Sequence, residues 1–168
     1  DGNFYALLAR MRYIQRWALM RNTEPENIQE HSHMVAILAH ALALLQNKHF
    51  GGHIDPGQAV LLALYHDATE ILTGDLPTPI KYYNPALRAS YKEVEETAAN
   101  RLLELLPEEL REDYAPYLLH PDPELEAVVK AADKLDAYLK CVKERKAGNG
   151  EFQTAQVQIW DALQANPL

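Results

Sequence analysis

Cysteine is nearly absent from this 168-residue chain: Cys141 stands alone. That excludes an internal disulfide and any zinc site built from several thiolates. Basic charge is also scarce, with 16 Lys and Arg against 24 Asp and Glu and a formal net charge of −8. The broad cationic face of a protein that binds nucleic acid polymers is therefore not expected. A small anion remains admissible, because a metal and one or two local cations can meet its charge. No apolar stretch is long and charge-free enough to cross a bilayer, so no membrane partner is expected. No apolar leader segment opens the chain. A reduced, cytoplasmic setting is the expectation that follows. Strand-like alternation, internal repeats, low-complexity tracts and linkers are missing too, which leaves a single domain over residues 1–168 as the simplest organisation.

What is present is helix after helix. Phe4, Leu7, Leu8, Met11 and Ile14 recur at helical spacing and predict a first amphipathic helix running to about Met20, followed by a loop over Arg21 to Glu26. A second helix carries His31, Met34, Val35, Leu38, Leu42 and Leu45 on one stripe, and the Gly51-Gly52 pair breaks the chain after it. Asp55-Pro56-Gly57-Gln58 combines an N-cap, a proline at the first helical position and a capping glutamine. The helix it starts is expected to bear His66, Asp67 and Glu70 and to stop at Gly74. The proline-rich run Asp75-Leu76-Pro77-Thr78-Pro79 predicts a stiff loop. Asn84-Pro85 opens a fourth long helix that ends before Pro107, with Tyr91, Val94, Ala98, Leu102 and Leu105 on its stripe; a short helical piece follows to about Leu118. Asp122-Pro123 starts another long helix, which bears Asp133 and closes at Gly148-Asn149-Gly150, and a final helix holds Phe152, Ile159, Trp160 and Leu163. The expected fold is an all-α bundle.

Within that bundle a few polar residues sit where apolar ones would serve better. His31 shares its stripe with apolar neighbours and should point inward, whereas His33, about 200° around the helix, cannot. His66 and Asp67 stand side by side on a mostly apolar helix, with Glu70 within one turn. Asp133 adjoins Val129 and Ala132, at a position suited to a core; an unpaired carboxylate there is costly to desolvate. Each of these has an ordinary explanation taken singly: a hydrogen-bonded core histidine, a chance dipeptide, a carboxylate paired with Lys130 or Lys134. Each such explanation needs its own partner, while one divalent cation answers His31, His66, Asp67 and Asp133 together. The chain thus reads first as a metal-dependent hydrolase. Lys134 and Asp136, beside Asp133, are expected to point outward. His40, His49, His53 and His120 read as surface or loop residues, Glu93, Glu95 and Glu96 as a solvated face, and Trp17 and Trp160 as core or interface aromatics.

Glu30-His31-Ser32, then His66-Asp67 with Glu70, then a distant Asp133, resembles the H…HD…D pattern of the HD-domain metal phosphohydrolases. Longer blocks resemble the bacterial 5′-deoxynucleotidases of the YfbR type: Arg16-Trp17-Ala18-Leu19-Met20-Arg21-Asn22, Tyr65 to Glu70, Leu72 to Pro79, Lys81-Tyr82, Pro107 to Arg111, and Ala137 to Cys141. Their order along essentially the whole chain makes the likeness specific. The resemblance implies an HD-type helical bundle in which His31, His66, Asp67 and Asp133 hold one divalent ion. A mixed nitrogen/oxygen site with open positions suits cobalt or manganese among first-row metals. It implies catalytic roles for Asp67, for Glu70 as a water-polarising or proton-handling group, and for Arg16 as the phosphate-orienting fork. Trp17 would crowd out a 2′-hydroxyl and Asp75 would accept a bond from the 3′-hydroxyl. Leu76, Pro77 and Thr78 would complete the substrate loop, with Asp67 and Asp133 also against the substrate and Lys81 a further phosphate contact. The implied substrate is a deoxyribonucleoside 5′-monophosphate and the implied assembly a homodimer. Two other readings stand beside it: an HD phosphohydrolase acting on another nucleotide or phosphomonoester, and a non-catalytic helical module braced by a structural metal.

Overall fold

The computed structural model describes residues 3–77, 81 and 83–168, and every regular element within them is helical. Helix α1 (Asn3–Leu8) runs into a 3-10 turn (Ala9–Tyr13). Then follow α2 (Ile28–His49), α3 (Pro56–Tyr65), α4 (Glu70–Thr73), α5 (Pro85–Leu105), α6 (Glu108–Leu118) and α7 (Pro123–Lys146). A 3-10 turn (Gly150–Phe152) leads into α8 (Gln153–Ala165). No helix among the described residues is long and apolar enough to cross a membrane.

The helix starts follow from local chemistry. Asp55, Asn84 and Asp122 each accept a hydrogen bond from a backbone N–H of the first turn, with Pro56, Pro85 and Pro123 just inside. The side chain of Asn27 accepts from the Glu30 amide at 2.9 Å and so caps α2.

Two apolar clusters hold the bundle. In the first, α2, α3 and α7 meet through Val35, Ala36, Ala39, Ala43, Ala59, Leu62, Ala63, Val128, Val129 and Ala132. So many alanines let the helices approach closely. The second gathers Phe4, Ala68, Leu102, Leu103 and Leu106. Ala63 belongs to one cluster and Ala68 to the other, so the turn carrying His66 and Asp67 bridges the two and is anchored at both ends.

Three local expectations fail. The first helical stretch, α1 with its 3-10 turn, ends at Tyr13 rather than near Met20. Ile14 is extended (φ −93°, ψ 107°), Gln15 forms an isolated antiparallel bridge with Asn27, and Trp17 adopts φ 59°. Long-range backbone bonds outcompete the helix here: the Arg16 amide donates to Glu26 O at 2.8 Å and that of Ile28 to Ile14 O at 2.9 Å. Likewise, the helix expected to carry His66 and Asp67 stops at Tyr65. The next residues close tight turns, with the Ala68 amide donating to Tyr65 O and that of Glu70 to Asp67 O, both at 3.0 Å. That i→i−3 winding re-aims His66, Asp67 and Glu70 relative to a continuous α-helix. Gly74, at φ 74°, then ends α4 in a conformation that suits glycine. Finally, Met34 and Leu45 stand 38% and 49% exposed; the buried seam of α2 runs instead through Ile28, His31, Ser32, Val35, Ala36, Ala39 and Ala43.

Candidate metal centre

Two helices and a turn deliver four polar side chains to one point: α2 supplies His31, the turn after α3 supplies His66 and Asp67, and α7 supplies Asp133. One ligand atom from each lies within 4.8 Å of all the others. His31 Nε2 is 2.6 Å from Asp133 Oδ1 and 3.5 Å from Asp67 Oδ2. His66 Nε2 is 3.2 Å from Asp67 Oδ2 and 3.8 Å from Asp133 Oδ1. His33, His40, His49, His53 and His120 are exposed and away from the cluster.

Each ring is oriented from behind. His66 Nδ1 donates to Ala63 O at 2.6 Å, and His31 Nδ1 lies 2.6 Å from Asp136 Oδ2. Both imidazoles therefore carry the Nδ1 proton and turn Nε2 toward the centre, the tautomer a metal-binding histidine adopts. His66 Nε2 and Asp67 Oδ2 are buried and have no hydrogen-bond partner among the described residues. Orphaned lone pairs of this kind are expensive in a folded interior, and a shared divalent ion satisfies them together. The residues present thus fit a metal. Without one, burial opposes a charge on either ring, but the adjacent carboxylates win and hold both imidazoles above their ordinary pKa. Asp133 is opposed by burial in the same way, yet the adjacent His31 and His66 rings keep it well below the usual carboxylate range.

Asp136 corrects the sequence reading. Lys134 is exposed, as expected, but Asp136 is buried and grips His31. The signal was available in the spacing: three residues beyond Asp133, Asp136 shares its helix face. Asp136→Asn is expected to weaken divalent-metal affinity by about 10–100-fold with helicity unchanged, read by metal titration alongside circular dichroism.

Around the cluster stand the remaining candidates. Burial works against the Arg16 charge, but Asp133, Glu26, Asp67 and Asp75 outweigh it and keep the guanidinium protonated. Its Nε donates to Glu26 Oε2 at 3.1 Å. Trp17 Nε1 donates to the same oxygen at 3.2 Å, and its ring packs edge-on against buried Phe152 at 5.3 Å. Glu70 is buried; its desolvation, with Asp67 and Asp75 adding, pushes its carboxyl up to about 9. Its Oε2 has no hydrogen-bond partner among the described residues, and Lys81 Nζ lies 3.9 Å from Oε1. Asp75 is partly buried, and that burial raises its pKa against the pull of Arg16 and Lys81. Leu76 and Pro77 follow it, half-exposed on the loop, while Thr78 and Pro79 lie outside the described residues. Glu26, which grips both Arg16 and Trp17, was not singled out from sequence; no periodicity marks a residue whose partners lie nine and ten positions back.

A helical bundle that closes two histidines and two aspartates into one nitrogen/oxygen cluster defines the class of HD-type phosphohydrolases. The fold agrees with that of an HD-domain phosphohydrolase from Listeria innocua (TM-score 0.82, 23% identity, 94% of this chain and 77% of that one). It is also similar to a cyanophage S-2L HD phosphohydrolase, solved with dA and one catalytic Zn2+ ion (TM-score 0.66, 25% identity, 97% and 86% covered). Residues 3–168 match the family described as 5′-deoxynucleotidase YfbR-like, and the chain belongs to that family. Among its relatives, a 5′-deoxynucleotidase of Vibrio parahaemolyticus is 54% identical over 98% of this chain and 86% of its own length. One of Shewanella oneidensis is 50% identical over 99% and 86%.

Proposed function

We propose that this protein is a metal-dependent phosphomonoesterase that hydrolyses deoxyribonucleoside 5′-monophosphates to deoxynucleoside and phosphate, as one domain spanning residues 1–168. The observation that carries the reading is the orphaned pair His66 Nε2 and Asp67 Oδ2 beside a buried, charged arginine. Relatives named 5′-deoxynucleotidase and the dA-bound phage enzyme support the substrate class. A purely structural metal would need neither Arg16 nor a buried glutamate with a free oxygen.

His31, His66, Asp67 and Asp133 would hold the ion, with cobalt or manganese the expected occupant. When bound, it supplies Lewis acidity: it offsets phosphate charge and eases deprotonation of water. The protein's own groups do the rest. Among the described residues the Arg16 side chain commits Nε to Glu26, which leaves its terminal nitrogens as a two-pronged fork for phosphate oxygens. Lys81 adds positive charge on the same side. Hydrolysis breaks the bond between phosphorus and the 5′-oxygen; water gives up a proton and the departing oxygen gains one. Glu70, buried beside Asp67 with one oxygen near Lys81, is the group placed to pass that proton from water toward the departing oxygen. Trp17 forms an apolar wall against the 2′-carbon, and Asp75 accepts from the 3′-hydroxyl. Leu76 and Pro77 stiffen that side of the site, and a homodimer in the cytoplasm is the expected state.

A phosphate-release assay with every deoxy- and ribonucleoside monophosphate, across several divalent ions, tests this reading. Deoxy substrates should be preferred, and a chelator should stop turnover while leaving the helices intact. Equal rates on ribo substrates would remove the substrate assignment. An apolar wall disfavours an added hydroxyl by up to about 100-fold. Trp17→Ala is therefore expected to keep phosphatase activity and to lose roughly 10–100-fold of the deoxy preference, measured as a ratio of kcat/KM values.

A further inference from the structure

We propose that Glu26 is the specificity-positioning residue of this site: one carboxylate oxygen holds the Arg16 guanidinium and the Trp17 indole in a fixed relation to each other. This rests on the roles given above to Arg16 and Trp17.

Glu26 grips the segment twice. Its backbone carbonyl accepts from the Arg16 amide at 2.8 Å. Its Oε2 accepts from Arg16 Nε at 3.1 Å and from Trp17 Nε1 at 3.2 Å. Arg16 and Glu26 are largely out of solvent, at 13% and 17% side-chain exposure, and Trp17 is partly buried, so the bonds are charge-assisted and little contested by water. The indole has a single donor, and Glu26 takes it. Trp17 also sits at φ 59°, a strained backbone for a bulky residue that surrounding contacts must enforce. Asn22 Nδ2, donating to Trp17 O at 3.2 Å, is one such contact; the Glu26 bond holds the ring itself, together with its edge-on packing against Phe152.

Glu26 is itself a firm pivot. Just before it, the Thr23 and Glu24 amides donate to Glu144 of α7 at 3.0 and 3.1 Å. Just after it, Asn27 caps α2. Its carboxylate also lies within 4.8 Å of His31 and Asp136 ligand atoms. The pivot is thus tied on one side to the helix that carries Asp133 and on the other to the helix that carries His31. An indole wall rejects a hydroxyl only if it cannot recoil, and a guanidinium fork binds phosphate well only if its plane is set beforehand. Glu26 meets both requirements with one atom, so the phosphate anchor and the sugar wall move together or not at all.

The test compares Glu26→Gln, Trp17→Phe, Trp17→Ala and the double variant Glu26→Gln/Trp17→Phe. The amide of Glu26→Gln loses the charge that draws both donors, and Trp17→Phe keeps an aromatic wall but loses the N–H. Glu26→Gln and Trp17→Phe should each lower the deoxy-to-ribo ratio of kcat/KM roughly tenfold, about the effect of one charge-assisted hydrogen bond. Glu26→Gln should in addition raise KM more than it lowers kcat. The double variant should show no further loss of selectivity, because both changes cut the same bond. The same ratio read without turnover, in equilibrium binding of deoxynucleoside against ribonucleoside, should fall in parallel. A merely structural Glu26 would slow both substrate classes equally and leave the ratio intact, which overturns the proposal. Retained selectivity in Trp17→Phe does so too, even if Glu26→Gln fails to fold. Failure of the Trp17 role itself is separately visible: Trp17→Ala would then keep the deoxy preference. Loss in Trp17→Ala with retention in the other variants sinks only the Glu26 inference.

Discussion

Asp67→Asn is expected to lower phosphate release by at least about 10³-fold while leaving the helical fold in place. Asp67 Oδ2 is buried, has no hydrogen bond among the described residues, and lies 3.2 and 3.5 Å from the Nε2 atoms of the two histidines. It is the carboxylate supplied by the turn that bridges the two apolar clusters. Charge stabilisation by a catalytic metal is worth several kcal/mol, and each 1.36 kcal/mol is tenfold in rate, which sets the scale of the loss. A thermal-shift titration separates this from damage to the fold. A ligand at 100 times its Kd adds about 2.7 kcal/mol, which raises Tm by roughly 5–10 °C in a protein of this size. The parent protein should show that rise on adding metal, and Asp67→Asn should not. A variant that still gained Tm with metal, or still turned over at near-parent rates, would place the ion elsewhere.

The second large effect lies away from the cluster, at Glu144. This carboxylate is 2% exposed and accepts from the Thr23 amide, the Thr23 hydroxyl, the Glu24 amide, Lys140 Nζ and Asn149 Nδ2 at 2.7–3.1 Å. Lys140 is buried as well and also donates to Glu24 O. Glu144→Ala leaves that ammonium without its counter-charge and strands two backbone donors. The expected cost is roughly 3–5 kcal/mol, or about 10 °C in Tm. Asn149, at zero exposure, should suffer with it, since it bridges Glu144 and Arg21 O. Because the segment pinned there carries Arg16 and Trp17, activity should fall before the core melts. The pH dependence has a definite sign. Burial opposes the Glu144 charge, but Lys140 and the Thr23 and Glu24 donors outweigh it and hold the folded pKa below the ordinary value. Its contribution is thus complete above the unfolded carboxyl pKa of about 4.3 and is lost as pH falls through the folded one. Glu144→Gln should be less stable than the parent at pH 7 and should lose stability less steeply below about pH 4. Parallel acid-unfolding curves for the two proteins would contradict this.

Sequence logic reached the helix starts and the four candidate ligands by different routes. The Asp-Pro and Asn-Pro caps at 55–56, 84–85 and 122–123 act within one turn, so local chemistry suffices to place them. His31, His66, Asp67 and Asp133 were conspicuous because polar groups on apolar stripes demand a partner. The first helix was read seven residues too long, to Met20 rather than Tyr13, because its end depends on Glu26 and Asn27, which local periodicity cannot see. Asp136 was read as outward for a related reason: helical spacing places it on the Asp133 face, but only His31 on another helix gives it something to hold.

The chain by itself determined the helical bundle, its capped starts, the absence of a thiolate metal site and the shortlist of His and Asp residues, since each of these is written in nearest neighbours and in the 3.6-residue period. Tertiary structure alone decided which of those groups meet, the tight turn that aims His66 and Asp67, the left-handed backbone of Trp17, and the grip of Glu26, Asp136 and Glu144 on their partners. Such contacts join residues up to about 120 positions apart, and their geometry exists only after the apolar clusters have packed the helices together.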